Sequence, residues 1–557
     1  MQSAYLARRH TRATQHLILV TAFTNTAVHN LLSAIASLFP LWRKMMEREA
    51  TKSYLRDTLG ESSADESASG AEGEEQWAVP VELVHLMSSD TPEEVLGPLM
   101  QRAEGVMYTT KYVPKNKWSI VAGTVWQLHK HRAKLSGAQV LVVDEGSQLP
   151  LVDASLAIDL LDARQYRLLV AGDPLQLPPI LQGRYPADKR GPVLHGSVLH
   201  GLLRDRDNQP IIDIYAASDV EQCPLVARLV HNRRSNRAIS DFTASLYGIT
   251  YQPALENRLL RLLRPRVALE EENNARNSGL LFDVLHSQLP EHPQPSSLVT
   301  VVVDAAGEGS SDTLLHALVD PLVERCIEAE VVRVLVKELR QWARQDTTCF
   351  IVTPHRSQRT AIQSVLQLNM DGQGSVQAAM EGKGKETEKE KEKETGEESG
   401  SGGRSQVGEE VDESKSGMRI MSVDTVERVQ GQQADVVMVA MALQDADVVG
   451  RETDFLFSLP RLNVAFSRAR RLCILLVSSV VLEPNGEVLA SRAASAGYAH
   501  LLKFVNASTR VNCKFVPLEK DSGKGGLGVG QGGEWRIEMH NGEILKERWS
   551  PGGVVDE

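Results

Sequence analysis

Cysteine is scarce in this chain, and what there is stands apart. Cys223, Cys326, Cys349, Cys473 and Cys513 form no CxxC pair and no Cys/His cluster. That spacing argues against a zinc or iron–sulfur module and suits a reducing compartment. Long apolar runs are missing as well. The longest, around Leu472–Leu482, is interrupted by Ser478 and Ser479 and falls short of the roughly 20 residues that span a bilayer. The basic start has no apolar core followed by a cleavage site, so no secretory leader is expected. The expected setting is intracellular, nuclear or cytoplasmic, with no membrane partner.

Excess positive charge is also lacking, since the formal net charge is −11. Divided by region, the deficit is local. Residues 60–76 carry six acids and no base, and residues 371–417 carry thirteen acids against seven bases. The two tracts supply −12, which leaves the remainder at +1. The acidity therefore belongs to inserts and does not exclude a basic cleft elsewhere.

What is present is α/β rhythm over 557 residues, more than a single core of about 250–300 residues accommodates. A short helix over 2–16 leads into a strand Leu17–Ala22 and a helix Ala27–Phe39. Strands Trp118–Ala122, Val140–Asp144 and Leu168–Gly172 follow. A second unit has expected strands at Ile211–Tyr215, Leu298–Asp304, Cys349–Thr353, Val436–Met441 and Cys473–Val477. Apolar strands alternating with helices imply parallel sheets covered on both faces. The expected domains are 1–206, interrupted by an inserted subdomain at 44–118 with a disordered 60–76, and 207–512, carrying a disordered insertion at 371–417. A Gly-rich, loose tail is expected over 513–557.

Several strand ends carry chemistry. In VLVVDEGSQ, Asp144 and Glu145 lie where a parallel sheet presents its carboxyl edge. Asp144 suits a Mg²⁺ contact, and Glu145 is placed to orient or deprotonate an attacking water. AGDPLQLPP follows one αβ unit later. There Gly172, Asp173 and Pro174 force a tight turn that presents Gln176 to a γ-phosphate. Arg234 in NRRSNR and Arg468 in NVAFSRAR are candidate charge stabilisers from the second unit. Gln430 and Gly431 offer an amide and a close backbone approach to the same cleft. Thr24-Asn25, Gly123-Thr124 and Thr353-Pro354-His355 each follow a strand, where hydroxyls, an amide and backbone N–H groups meet phosphates and sugars without reading sequence.

Taken together, TAFTNTAVHNLL, GTVWQL, VVDEGSQ, GDPLQLPP, NRRSNRAISDF, IVTPHRSQ, VDTVERVQGQQAD and RLNVAFSRAR resemble the ordered blocks of superfamily 1 helicases. The branch they resemble contains the nonsense-mediated-decay RNA helicase and the replication helicase-nuclease, and its members move five-prime to three-prime. The resemblance covers about 17–36, 121–240 and 345–480. It implies two RecA-like domains of the P-loop NTPase type, with ATP and Mg²⁺ between them and single-stranded DNA or RNA across their tops. It puts Gly172, Asp173, Gln430, Gly431 and Arg461 on the nucleotide side, and adds Thr425 to the nucleic-acid turns.

Departures from the family pattern are His29 for Asp, Gly146 for Ala and Gln433 for Glu. The family's phosphate loop, GxxxxGK[ST], has no counterpart. Gly382-Lys383, Gly384-Lys385 and Gly523-Lys524 lack a preceding strand and a following Ser or Thr. The expectation is a helicase-type enzyme missing its first ~20–30 core residues, a length set by the strand–loop–helix unit that the motif requires, and inactive as an ATPase in this form. The alternative is a non-hydrolysing, nucleic-acid-binding or scaffolding protein derived from such a helicase.

Overall fold

A computed structural model describes residues 16–46, 81–92, 102–113, 118–180, 196–204, 225–248, 251–254, 297–305, 321–344, 346–368, 418–483, 490–517, 535–539 and 544–545, with a few isolated positions between. The expected helix over 2–16, the strand Ile211–Tyr215 and both acidic tracts lie outside the described residues.

The first sheet starts with β1 (His16–Thr21), followed by helix α1 (Asn25–Met46). Leu17 and Leu19 of β1 belong to one core layer, and Val20 to another with Ala27, Val28 and Leu32 of α1. This is the alternation that a strand buried on both faces requires. Helix α1 runs past Pro40, beyond the Phe39 at which the sequence pattern stops. Next come β2 (Val81–Leu86), β3 (Met107–Thr109) and β4 (Trp118–Ala122). The short helices α2 (Val125–Lys130) and α3 (Arg132–Leu135) lead to β5 (Val140–Val143), α4 (Leu151–Ile158), β6 (Arg167–Val170) and α5 (Val198–Leu202). The sheet order is β3-β2-β4-β1-β5-β6, all parallel.

The reading of 44–118 as an inserted subdomain is corrected by β2 and β3, which are integral strands of this sheet. The sequence hid them because two polar residues sit at buried positions of VELVHL. Glu82 is 7% exposed and accepts from the Ser119 hydroxyl at 3.1 Å, and His85 is fully buried.

Strands β7 (His231–Asn232) and β8 (Gln252–Pro253) pair around helix α6 (Arg237–Tyr247). The second sheet then begins with β9 (Leu298–Ala305), α7 (Pro321–Trp342), β10 (Thr348–Thr353) and α8 (Arg356–Leu368). It continues through β11 (Arg419–Thr425), β12 (Ala434–Met441) and four helices, α9 (Ala446–Arg451), α10 (Thr453–Leu456), α11 (Leu459–Ser467) and, after β13 (Ala469–Val477), α12 (Ser479–Leu482). It closes with α13 (Arg492–Ala507), β14 (Thr509–Pro517), β15 (Trp535–Met539) and β16 (Ile544–Leu545). Its order is β11-β10-β12-β13-β9-β14-β15-β16. The first six strands are mutually parallel, and β15 and β16 add an antiparallel margin. All eight residues of β12 are buried, as expected of a central strand under helices on both faces.

The strands β14 to β16 correct the expectation of a loose tail from 513. Cys513, 1% exposed, packs in the core beside Val301 and Val303. Low apolar content around 522–533 concealed the strand pairing, which is a long-range property. The chain is α/β with two parallel-sheet units, the architecture of paired RecA-like domains.

Candidate functional site

The carboxyl edge of the first sheet faces a cleft whose other side is formed by the residues preceding β12 and β13 and by α6 and α11. On the first sheet, Asp144 extends β5 by donating its N–H to Thr21 O at 2.8 Å. Its carboxyl pKa is raised by burial and, secondarily, by the neighbouring Glu145 charge. Glu145 has φ +52° and is, among the described residues, the one non-glycine residue at positive φ. Such a backbone costs of order 1 kcal/mol and persists where surrounding contacts fix it. Here Gly146 N donates to Ala171 O at 2.7 Å, and Gln148 Nε2 donates to Glu145 Oε2 at 3.1 Å. Gly146, one of the departures from the family pattern, has a local reason. A Cβ there would lie 2.5 Å from Val170 Cγ1 and 3.2 Å from Ala171 O.

The turn after β6 is tied by Asp173. Its Oδ1 accepts Leu175 N at 2.9 Å, and its Oδ2 accepts Gln176 Nε2 at 3.0 Å. Across the cleft, Tyr247 at the end of α6 donates its hydroxyl to Asp173 Oδ2. Asn463 Nδ2, on α11, donates both to that hydroxyl, at 2.7 Å, and to Leu175 O, at 3.0 Å. Burial and the adjacent Asp173 carboxylate push the Tyr247 hydroxyl well above its ordinary pKa, so it stays a neutral donor.

From the second sheet, the Gln430 side chain donates toward Glu145 Oε2 and Gln176 Oε1, each at 3.5 Å. Its own Oε1 is buried without a partner. Gly431 takes φ +75° and approaches the Glu145 carboxylate, while its carbonyl accepts from Asn30 at 3.3 Å. Only glycine adopts that φ without strain.

Arg468 is the largest fully buried side chain among the described residues. It donates to Val464 O at 3.0 Å, Gln432 O at 3.3 Å and Ser467 Oγ at 3.1 Å. No carboxylate pairs with it among the described ion pairs. Burial, then the like charge of Arg234, pulls its pKa down to about 9, with Glu145, Tyr247 and Asp173 opposing. Arg234 itself donates to Ser467 O at 3.3 Å. Two guanidinium groups thus share one cleft with two carboxylates, without a direct ion pair.

The cleft gathers Glu145, Asp173, Gln176, Arg234, Gln430, Gly431 and Arg468, with Asp144 one residue away on the backbone and Gly172 in the turn. Arg461, expected on the nucleotide side, is placed otherwise. Its Nε binds Glu427 at 2.9 Å, and its guanidinium lies 3.9 Å over the Phe455 ring. Tyr247, Asn463 and Asn30 were missed by the sequence reading. A polar residue inside the apolar helix LNVAF was the available signal for Asn463, and a tyrosine just before Gly248 was a weak one for Tyr247.

The expected nucleic-acid turns are all at strand ends, and most of their polar groups serve the turns themselves. Thr24 Oγ1 accepts from Ala27 N at 3.1 Å, capping α1, and Thr124 N donates to Gln127 Oε1 at 2.7 Å. Gly123 N donates to Val20 O at 3.0 Å. Thr353 is fully buried and bonds His355 O and Gln358 Oε1, and Thr425 is buried. Pro354 is half-buried between Thr353 and His355. Asn25 Oδ1 is buried without a partner.

For a resident cation, the described residues hold no group of three or more His, Cys, Asp or Glu side chains suited to a metal. A magnesium ion there would depend on phosphate oxygens and water for most of its ligands, as Mg²⁺ at nucleotides commonly does. No helix among the described residues is long and apolar enough to cross a membrane.

A family model described as an AAA domain matches residues 220–480. No curated protein matches the chain. Among solved structures, the helicase nonstructural protein 10 of an arterivirus, in complex with DNA, is similar at 11% identity over 86% of this chain and 62% of that one, with a TM-score of 0.26. UvsW of T4 is similar at 9% identity over 91% of this chain and 70% of that one, with a TM-score of 0.19. The chain thus spans less than two thirds of the arterivirus protein, and superpositions this loose carry no inference about activity.

Proposed function

We propose that the chain is a helicase-type, nucleotide-driven protein acting on single-stranded nucleic acid, with ATP·Mg²⁺ taken between its two sheets. The observation that carries this reading is the pair Arg234 and Arg468. A fully buried guanidinium with no carboxylate partner among the described residues is costly in an apolar setting unless an anion completes it. The cleft presents it beside Arg234 and facing Glu145, an arrangement suited to a polyphosphate. Bound there, ATP would supply the transferable γ-phosphoryl group and Mg²⁺ the neutralisation of its oxygens.

The chain's own residues divide the remaining work. Glu145, strained and oriented by Gln148, is placed to align and deprotonate a water. Gln430 and Gln176, amide to amide across the cleft, sense the γ-phosphate from both sheets. Arg234 and Arg468 stabilise charge that develops in transfer. Asp144 is the carboxylate for the metal. Thr24, Asn25, Gly123, Thr124, Thr353, His355 and Thr425 line the strand ends available to a nucleic-acid backbone.

The alternative is a non-hydrolysing binder of the same ancestry, against which the retained Asp144, Glu145, Gln176, Arg234 and Arg468 weigh, because such a protein has no use for them together. Without a lysine and an anion-cradling loop for the β- and γ-phosphates, nucleotide turnover by this chain is expected to be negligible. The test measures ATP·Mg²⁺ binding by a fluorescent analogue beside single-strand-stimulated hydrolysis. Binding without turnover is expected. Turnover at an ordinary enzymatic rate, abolished by Glu145→Gln, would replace the non-hydrolysing expectation. No nucleotide binding and no strand binding would sink the helicase-type reading altogether.

A further inference from the structure

Nothing in the nucleotide cleft accounts for a second cavity, of about 590 Å³, between the loop after β10 and the paired helices α9 and α10. His355, Arg451, Glu452, Asp454, Phe455 and Ser491 are among its lining residues. Part of the wall is aromatic. The His355 imidazole stacks on Phe455, with centroids 5.2 Å apart and planes 20° from parallel. The same phenyl ring carries the Arg461 guanidinium, itself pinned by Glu427.

Another part is acidic. Glu452 Oε2 lies 3.0 Å from His355 Nε2, and Asp454 Oδ1 accepts the Ser491 hydroxyl at 2.7 Å. The surroundings are basic: Arg451 lines the cavity and is exposed, as is Arg356, which follows His355 and opens the thirteen-residue α8.

These three chemistries together fit one class of ligand. A side-chain stack already held by the Arg461–Glu427 ion pair and by the contact of Glu452 with the His355 imidazole loses little freedom when a flat group joins it, and nucleobases stack on such platforms whatever their identity. Carboxylates at the base edge are selective. They accept hydrogens from exocyclic amines, as they do from cytosine N4. They are repelled by the paired carbonyl oxygens that flank the single N–H of thymine and uracil. Exposed arginines and the amide end of α8 suit the flanking phosphates.

We propose that this cavity is a nucleobase subsite on the single-strand path. It takes one unstacked base bearing an exocyclic amino group, stacked on His355 and contacted at its edge by Glu452 and Asp454, with neighbouring phosphates on Arg451 and Arg356. The proposal rests on the nucleic-acid reading above and adds a base preference to a path otherwise expected to be sequence-tolerant.

The test is a fluorescence-anisotropy titration of the full chain with short labelled strands of oligo(dC), oligo(dA) and oligo(dT), and with oligo(dC) carrying central abasic positions. Oligo(dC) and oligo(dA) are expected to bind roughly tenfold tighter than oligo(dT) and the abasic strand, the scale of one base stacked on an aromatic wall. His355→Ala should reduce all base-bearing strands to the abasic affinity. Glu452→Gln preserves the shape of the site while adding an amide donor, and should narrow the gap by strengthening oligo(dT). It keeps the test open if His355→Ala fails to fold. Equal affinity for all four strands, unmoved by both substitutions, would overturn the subsite while leaving the nucleic-acid reading intact. Failure to bind any strand would overturn both.

Discussion

Replacing Arg468 by methionine removes a buried cation while keeping most of its volume, and the outcome separates a structural arginine from an anion-binding one. The pKa of Arg468 falls from the ordinary guanidinium value to about 9 in the folded chain, with burial as its first cause. The sign follows directly. A base whose folded pKa is depressed is charged at pH 7 in both states, and that charge is less favourable in the folded one. The penalty is present below about pH 9 and fades as pH rises toward the unfolded value. At about 1.4 kcal/mol per unit, the full shift corresponds to a few kcal/mol against folding. It is offset in part by the three hydrogen bonds to Val464 O, Gln432 O and Ser467 Oγ, at about 1 kcal/mol each or somewhat more for a charged donor.

The substitution is therefore expected to leave the ligand-free protein equally stable or stabilise it by ~1–3 kcal/mol, within the range for buried charges exchanged for apolar groups. The decisive reading is the response to tripolyphosphate or ATP, measured by denaturant unfolding. An anion bound only by the folded state should add about 2.7 kcal/mol at one hundred times its dissociation constant. The unsubstituted chain should show this increment, and Arg468→Met should lose most of it. A substituted chain that is destabilised by several kcal/mol yet keeps its anion response would assign Arg468 to structure and refute the argument.

Other consequences follow from the same geometry. Glu145→Gly should stabilise the chain by ~1 kcal/mol through relief of the positive φ, seen as a raised unfolding midpoint, while weakening any reaction that depends on the carboxylate. Tyr247→Phe removes the hydroxyl shared by Asp173 and Asn463 and should cost ~1–3 kcal/mol. Because Tyr247 has a raised pKa, its contribution is complete below the unfolded value near 10 and declines above it; the phenylalanine variant should show a shallower alkaline loss, and an unchanged alkaline limb would count against the network. Gly146→Ala should cost ~1–3 kcal/mol by driving a methyl group onto Val170, and a neutral result would show that the turn relaxes freely. Deleting 371–417, which carries a net −6, should strengthen single-strand binding at low salt and matter little at high salt; weaker binding would make that tract a functional arm.

Sequence by itself determined the parts of this protein whose signals are local. Strand Trp118–Ala122 was delimited to the residue, and the cores of β5, β9, β10, β12 and β13 were legible, because a buried parallel strand is a continuous apolar run; the edge strand β6 shows the same apolar run although none of its residues is buried. Acid, glycine and proline at the ends of those runs marked Asp144, Glu145 and the Gly172–Gln176 turn as candidates. What depends on distant partners was decided by the tertiary structure. Strands β2 and β3 join the first sheet despite buried Glu82 and His85, and β14 extends the second through hydrogen bonds to β9, some two hundred positions away, with β15 and β16 paired in turn beyond it. Tyr247 and Asn463 acquire meaning only where α6 and α11 meet the Asp173 turn. Arg461 and Arg468 stand seven positions apart in one motif, yet the first lies on an aromatic stack and the second inside the cleft, without a carboxylate partner among the described residues. The reason is physical. Periodicity encodes which face of an element is apolar, whereas the partner of a buried polar group is fixed by which elements the fold brings within a few ångströms.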